Sequence, residues 1–255
     1  MKAPVIVMDF SGIYDFEPFA QDKDCHRIDC RNLNGTDCYC DHDAAVCLKE
    51  KIAHYPIHGI HFIDSGNYHY ITKFWAERIH HPFSLIVFDH HPDMQPSAFD
   101  NLLSCGNWVK AVIDTNPYLQ KVILIGAEDA LVHAVPKSYR NKVVFYTETS
   151  LQNEETWNNF TAIHLKEPVY VSIDKDVLNT HDAATNWSQG SLSLSELKNL
   201  LGVVLKNEKI IGIDICGESA PTSDIVEEET EAELNNETNE SILDFVLRTE
   251  QQQTA

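Results

Sequence analysis

The chain has 255 residues, enough for one large α/β domain that buries a core without disulfide bonds. Hydrophobic residues make up 43% and charged residues 23%, with 10 glycines and 10 prolines, a balance that excludes collagen-like, low-complexity and wholly disordered chains. The formal charge of −20, from 19 basic and 39 acidic residues, argues against a nucleic-acid backbone or an anionic membrane surface as partner.

No apolar run approaches the roughly 18 residues that span a bilayer. The opening Val5-Ile6-Val7-Met8 is too short for a signal peptide and reads as a first strand, which points to the cytoplasm. Seven cysteines, five of them at 25, 30, 38, 40 and 47, raise zinc as a possibility together with His42. Paired CxxC spacing is absent, and reduced thiols around a turn are the preferred reading.

Apolar runs at 4–9, 59–64, 84–89, 121–126, 142–147, 168–174 and 209–215 predict strands, and 41–53, 69–80, 106–115, 128–138, 151–164 and 193–206 predict helices. Runs such as Ser84-Leu85-Ile86-Val87-Phe88 are continuously apolar, as strands are when helices cover both sheet faces, so the fold class is α/β with a mostly parallel central sheet. The polar, Cys-rich stretch 24–43 reads as a loop leading to a helix capped near Asp41. From Asp224 to Ala255 ten acidic residues face one arginine, which predicts a body of residues 1–223 followed by a mobile acidic stretch and a short docking helix around 242–247.

The chemistry concentrates at predicted strand ends. In Phe88-Asp89-His90-His91-Pro92-Asp93, an extended backbone would put Asp89, His91 and Asp93 on one side. The same period puts Asp174 and Asp176 together in Ser172-Ile173-Asp174-Lys175-Asp176. A third strand end at Asp64 leads through Ser65-Gly66-Asn67-Tyr68 to His69. Open α/β sheets bind ligands at the carboxyl ends of their strands. Four crowded carboxylates are tolerable only if cations neutralise them, and two divalent ions supply the required charge. Carboxylate and imidazole without thiolate suit manganese, with iron, cobalt, nickel and zinc as alternatives.

Gly66-Asn67-Tyr68-His69-Tyr70, Asp89-His90-His91-Pro92-Asp93 and Ser172-Ile173-Asp174-Lys175-Asp176, in this order, resemble the three signatures of the ureohydrolases (arginases, agmatinases and formiminoglutamases). The resemblance covers the chain to about Glu218. It implies a three-layer arginase/deacetylase-like fold, two Mn2+ ions with a bridging hydroxide, a small-molecule substrate and a homo-oligomer. By position, His69, Asp89, Asp93 and Asp174 would take one ion and Asp89, His91, Asp174 and Asp176 the other. Asp93 would shuttle a proton and Glu218 would hold a guanidinium; Gln95, Asn107 and Asp129 would join Glu218 in binding substrate.

The signatures also depart from the family. Asn67 and Tyr68 replace a glycine and an aspartate of Gly-Gly-Asp-His-Ser, Val109 stands where arginases carry a proton-shuttling histidine, and Leu131 replaces an acidic residue that reads an α-amino group. These changes argue against L-arginine, leave His133 or His181 as substitute proton carriers, and make Trp187 a lid candidate. The leading expectation is hydrolysis of a linear amidine to an amine plus urea or formamide. Amide hydrolysis, or a metal-binding regulatory protein with weakened turnover, are the alternatives.

Overall fold

A computed structural model describes residues 3–97, 99, 102–162, 164–219 and 225–254. Along the first half run β1 (Val5–Asp9), β2 (Cys25–Asp29), β3 (Tyr39–Cys40), α1 (His42–Ile52), β4 (Ile60–Phe62), α2 (Ile71–Ala76), β5 (Phe83–Phe88) and β6 (Leu103–Ser104). The second half holds α3 (Trp108–Thr115), β7 (Leu119–Ile125), α4 (Asp129–Ala134), β8 (Val143–Tyr146), α5 (Glu154–Thr161), β9 (Val169–Asp174), α6 (Leu194–Asn207), β10 (Ile210–Cys216) and α7 (Ile225–Thr254).

Eight strands form one sheet in the order β2-β1-β4-β10-β9-β5-β7-β8, and every pairing in it is parallel. The continuous apolar runs have the predicted cause. Met8, Leu85, Val87, Val122 and Leu124 face a core shared with α1, α2 and α3, whereas Val7, Ile86, Phe88, Ile123 and Ile125 face one shared with α5, α6 and α7. Both faces are dry, so the alternation that marks a half-exposed strand is missing.

Two features depart from the sequence reading. The stretch expected as a loop contains β2, an edge strand in which only Ile28 is buried. Backbone pairing to β1 and an ion pair from Arg27 to the buried Asp9 at 2.6 Å hold it, and neither leaves an apolar period. The antiparallel β3–β6 pair was also unforeseen; it lays residues 38–40 against 103–105.

The acidic tail differs as well. Where a mobile stretch was expected, α7 is helical from Ile225 to Thr254. Its buried residues, Ala232, Asn235, Thr238, Asn239, Ile242 and Val246, recur at helical spacing, but three of them are polar. Asn235 bonds both the N–H and the carbonyl of Ala184 at 3.0 and 2.8 Å, and Thr238 donates to the Asp182 carbonyl. Met1, Lys2, Ile163 of the predicted fifth helix, the 223/224 boundary with Asp224, and Ala255 lie outside the described residues.

His61 of β4 is fully buried, stacked 3.9 Å from the Trp75 ring, with Nδ1 3.0 Å from the Tyr170 hydroxyl. Burial holds its pKa down to about 3. The unfolded chain takes a proton near pH 6.5 that the folded chain refuses, so this stabilising contribution is full above that pH and is lost as pH falls towards about 3. Urea unfolding at about pH 7 and about pH 4.5 should show an acid-induced loss smaller by about 2 kcal/mol in His61→Phe than in wild type; equal losses would exclude this account.

Candidate metal centre

The carboxyl ends of β5 and β9 are neighbours, with Phe88 beside Ile173, and β10 separates β9 from β4. Beyond these ends the chain turns, where the sequence pattern had it extended. Asp89 is held by an N–H bond to the Ile125 carbonyl at 3.0 Å, and its Oδ1 accepts the His91 N–H at 2.6 Å. Asp93 has φ +48°, a left-handed conformation that aspartate tolerates better than most residues. Asp174 ends β9 and its Oδ1 accepts the Asp176 N–H at 3.0 Å, closing a tight turn. The five acidic and imidazole groups of the two motifs therefore converge through Asx-type turns and one left-handed residue, and not through strand alternation.

His69, which follows the 66–68 turn, completes the constellation. Its Nδ1 lies 3.3 Å from an Oδ2 of each of Asp89, Asp93 and Asp174. His91 Nδ1 lies 2.7 Å from Asp176 Oδ2 and 3.6 Å from Asp89 Oδ1. Asp89 thus belongs to two metal-capable groups, one with His69 and Asp93 and one with His91 and Asp176, and Asp174 forms a third with His69 and Cys216. Cys216, which sequence reasoning missed, donates its thiol to Asp174 Oδ2 at 3.2 Å.

The tautomer of His69 tests whether the group fits a cation. Ser172 Oγ donates to Asp214 Oδ1 at 2.5 Å and lies 2.9 Å from His69 Nε2. The serine proton is committed to the carboxylate, so Nε2 carries the imidazole proton and Nδ1 presents a lone pair. That lone pair faces three carboxylate oxygens, and both Nδ1 and Asp89 Oδ2 are buried without a hydrogen-bond partner. Acceptors aimed at acceptors are tolerated only with a proton or a metal cation between them. Four carboxylates and two imidazoles fit two divalent ions of the manganese type. In the ion-free chain a proton must substitute. Burial disfavours charge on His91, yet hydrogen bonds to Asp176 and Asp89 push it up to about 11. Burial and the neighbouring Asp89 charge push Asp93 up to about 7.

Other contacts fix the ligand geometry. Trp108 Nε1 donates to Asp93 Oδ2 at 2.6 Å, His90 N–H to Asp176 Oδ1 at 3.0 Å, and His91 Nε2 lies 2.9 Å from Ser188 Oγ. Gly217, at φ +94°, has no room for a side chain, since a Cβ would sit 2.4 Å from Asp174 Oδ1. Ser172 was legible in retrospect, because it shares strand parity with Asp174. Asp214 and Trp108 gave no local signal.

A cavity of about 230 Å³ is lined by Asp89, His91, Asp93, Asp174 and Asp176, with His69 outside its lining, and also by Gln95. The remaining predicted contacts fall elsewhere. Glu218 is fully buried and turned away, 2.6 Å from Lys175 Nζ and hydrogen-bonded to Asn239 at 2.9 Å; a buried ammonium has claimed the charge expected to meet a guanidinium. Asn107 caps the 105–107 turn, accepting from Ser104 N–H and donating to the Leu102 carbonyl. Asp129 is engaged by the Thr147 and Thr149 hydroxyls at 2.8 and 2.7 Å. His133 and His181 are exposed and outside the cavity lining, and Val109 is core. Trp187 does line the cavity.

The architecture is that of the arginase-like α/β fold, and the paired carboxylate–imidazole groups form candidate sites for divalent metal. The Arginase family model matches residues 49–239, and the chain belongs to that family. Membership implies metal-dependent hydrolysis of C–N bonds. An uncharacterised protein of Thermotoga maritima is 32% identical over 220 residues, 84% of this chain and 80% of that one. Among solved structures, proclavaminate amidino hydrolase from Streptomyces clavuligerus superposes with TM-score 0.68 at 16% identity, covering 98% of this chain and 94% of its own. Formimidoylglutamase from Bacillus subtilis gives 0.69 at 15%, covering 98% and 87%. No described helix is long and apolar enough to cross a membrane.

Removing the Ser172 hydroxyl frees His69 to rotate and to adopt the other tautomer. Ser172→Ala should weaken Mn2+ binding by about 10- to 100-fold in calorimetric titration, with an unchanged circular dichroism spectrum; wild-type affinity would show that the serine does not set the tautomer.

Proposed function

We propose that the protein hydrolyses a C–N bond of a linear amidine, a guanidino or formimino compound, giving an amine and urea or formamide. His69, Asp89, Asp93 and Asp174 would hold one divalent ion and Asp89, His91, Asp174 and Asp176 the other, with manganese the metal that the donor set suits. The observation that carries the reading is Asp89, whose two oxygens face separate imidazoles, the placement of a bridging carboxylate. The amidino hydrolase and formimidoylglutamase names of two structural neighbours support the substrate class. The seven free thiols agree with a cytoplasmic setting, and the family resemblance with a homo-oligomer.

When bound, the cation pair supplies a water acidified to near neutrality and held beside the planar amidine carbon. The chain's own groups do the rest. Asp93 lines the cavity with one oxygen fixed by Trp108, so its carboxyl is oriented to take a proton and return it to the leaving amine. Gln95, whose backbone N–H bonds the Gly106 carbonyl at 3.0 Å, lines the same space, and its side-chain amide can bond the substrate. The pairing of Glu218 with Lys175 favours a second reading, a neutral amide as substrate, because among the described residues no carboxylate outside the proposed ligand set lines the cavity to receive a guanidinium.

Two outcomes test the proposal. Protein loaded with Mn2+ and offered guanidino, formimino and amide compounds should release urea, formamide or ammonia from at least one amidine, and chelation should abolish turnover; silence across the amidines with metal bound would retire this reading. Asp93→Asn should lower kcat by at least about 100-fold, and a loss confined to KM would remove Asp93 from proton transfer.

A further inference from the structure

The cavity wall differs from its floor. Apart from the proposed metal ligands, the side chains lining it among the described residues are Cys38, Tyr39, Gln95, Ser104, Cys105 and Trp187, none of which is charged at neutral pH. Both carboxylates expected to bind a charged substrate are spent, Glu218 on Lys175 and Asp129 on two threonines. Two large aromatic residues stand at the mouth with much of their surface in solvent, Tyr39 at 46% and Trp187 at 42%.

This rim is built. Trp187 Nε1 donates to Asn67 Oδ1 at 2.9 Å, and the same oxygen accepts from Asn186 Nδ2 at 2.8 Å. Asn67 Nδ2 donates to Asp37 Oδ1 at 2.7 Å, tying the indole's loop to the segment that carries Cys38 and Tyr39. On its inner side the indole meets the His91 ring edge-on at 6.0 Å. Asn67 occupies the position of a family glycine, and its side chain is what joins the three loops. The rim carboxylate Asp37 has an oxygen committed to that joint.

We infer that this rim is a specificity device: the substrate is small, and its non-reacting end is an uncharged flat or apolar group received between Trp187 and Tyr39. The inference rests on the hydrolase reading and narrows it. At ~30 Å³ per water the cavity holds about eight waters, which suits a compact molecule. A carboxylate there meets no cationic partner and a chain of charge −20, and an ammonium meets no lining anion once the ligands hold their ions; a desolvated charge without a partner is costly. An uncharged ring or alkyl end loses nothing and gains contact with the indole and phenol faces.

Hydroxamates test this separately from turnover, since they chelate divalent ions without being consumed. The full chain loaded with Mn2+ is titrated calorimetrically with benzohydroxamate and with benzohydroxamates bearing a ring carboxylate or a ring aminomethyl group. Acetohydroxamate reports the metal pair alone. The neutral aryl compound should bind at least about tenfold more tightly than either charged one. Trp187→Ala and Asn67→Ala should each cost it about fivefold while leaving acetohydroxamate affinity in place. Equal or tighter binding of a charged compound, or indifference to both substitutions, overturns the inference. Preference for the neutral compound without hydrolysis of any amidine would retire the reaction and keep the specificity, whereas absence of Mn2+ binding would overturn both.

Discussion

Four aspartates and two histidines share one end of the sheet, and the repulsion among them governs this structure. Asp89, Asp93, Asp174 and Asp176 are all buried, where unpaired charge is most expensive. Several nearby groups that can donate are recruited. The Trp108 indole serves Asp93, the Cys216 thiol serves Asp174 and the His90 amide serves Asp176. What these donors leave open is a gap bordered by lone pairs, between His69 Nδ1 and Asp89 Oδ2. A polar cluster kept only for stability would have its acceptors satisfied by protein donors; the open acceptors of this one suit a cation.

The same economy extends below the ligands. Lys175 lies between two of them in sequence, is fully buried, and turns to the opposite side to meet Glu218. Glu17 joins this inner cluster, and burial together with the Glu218 charge raises its pKa well above the usual carboxylate range. Asn239 of α7 donates to both acids, at 2.7 Å to Glu17 and 2.9 Å to Glu218. The last helix is therefore anchored by hydrogen bonds to this inner polar cluster, in addition to the apolar contacts of Ala232, Ile242 and Val246. The cost is functional, since Glu218 is withdrawn from the cavity.

The departures from the family signatures have local explanations. Tyr68 stacks on Phe10 with ring centroids 4.1 Å apart, Val109 fills the core against the first helical layer, and Asn67 binds the rim together. Support for His69 that the replaced acid no longer gives comes from Ser172 and, through it, Asp214. One hydrogen-bonded arrangement stands in for another, because an imidazole needs its far nitrogen fixed but not by any particular residue type.

The sequence by itself determined the parallel sheet and the candidate metal-binding groups, since strands dry on both faces write long apolar runs and those groups sit in short motifs at their ends. It also specified the cap at Asp41, whose carboxylate accepts the Ala44 amide at 2.8 Å. Tertiary structure decided what depends on partners distant in the chain. The edge strand β2 exists through pairing and an ion pair, which leave no apolar period; in α7 the apolar residues around 242–247 were legible, whereas the buried Asn235, Thr238 and Asn239 that extend the helix towards its start were not. Glu218 occupies a plausible motif position, yet its direction is set by a lysine 43 residues earlier and an asparagine on α7. Local pattern encodes which surfaces must be buried; the destination of a buried charge depends on its counter-charge, and only the folded chain brings the two together.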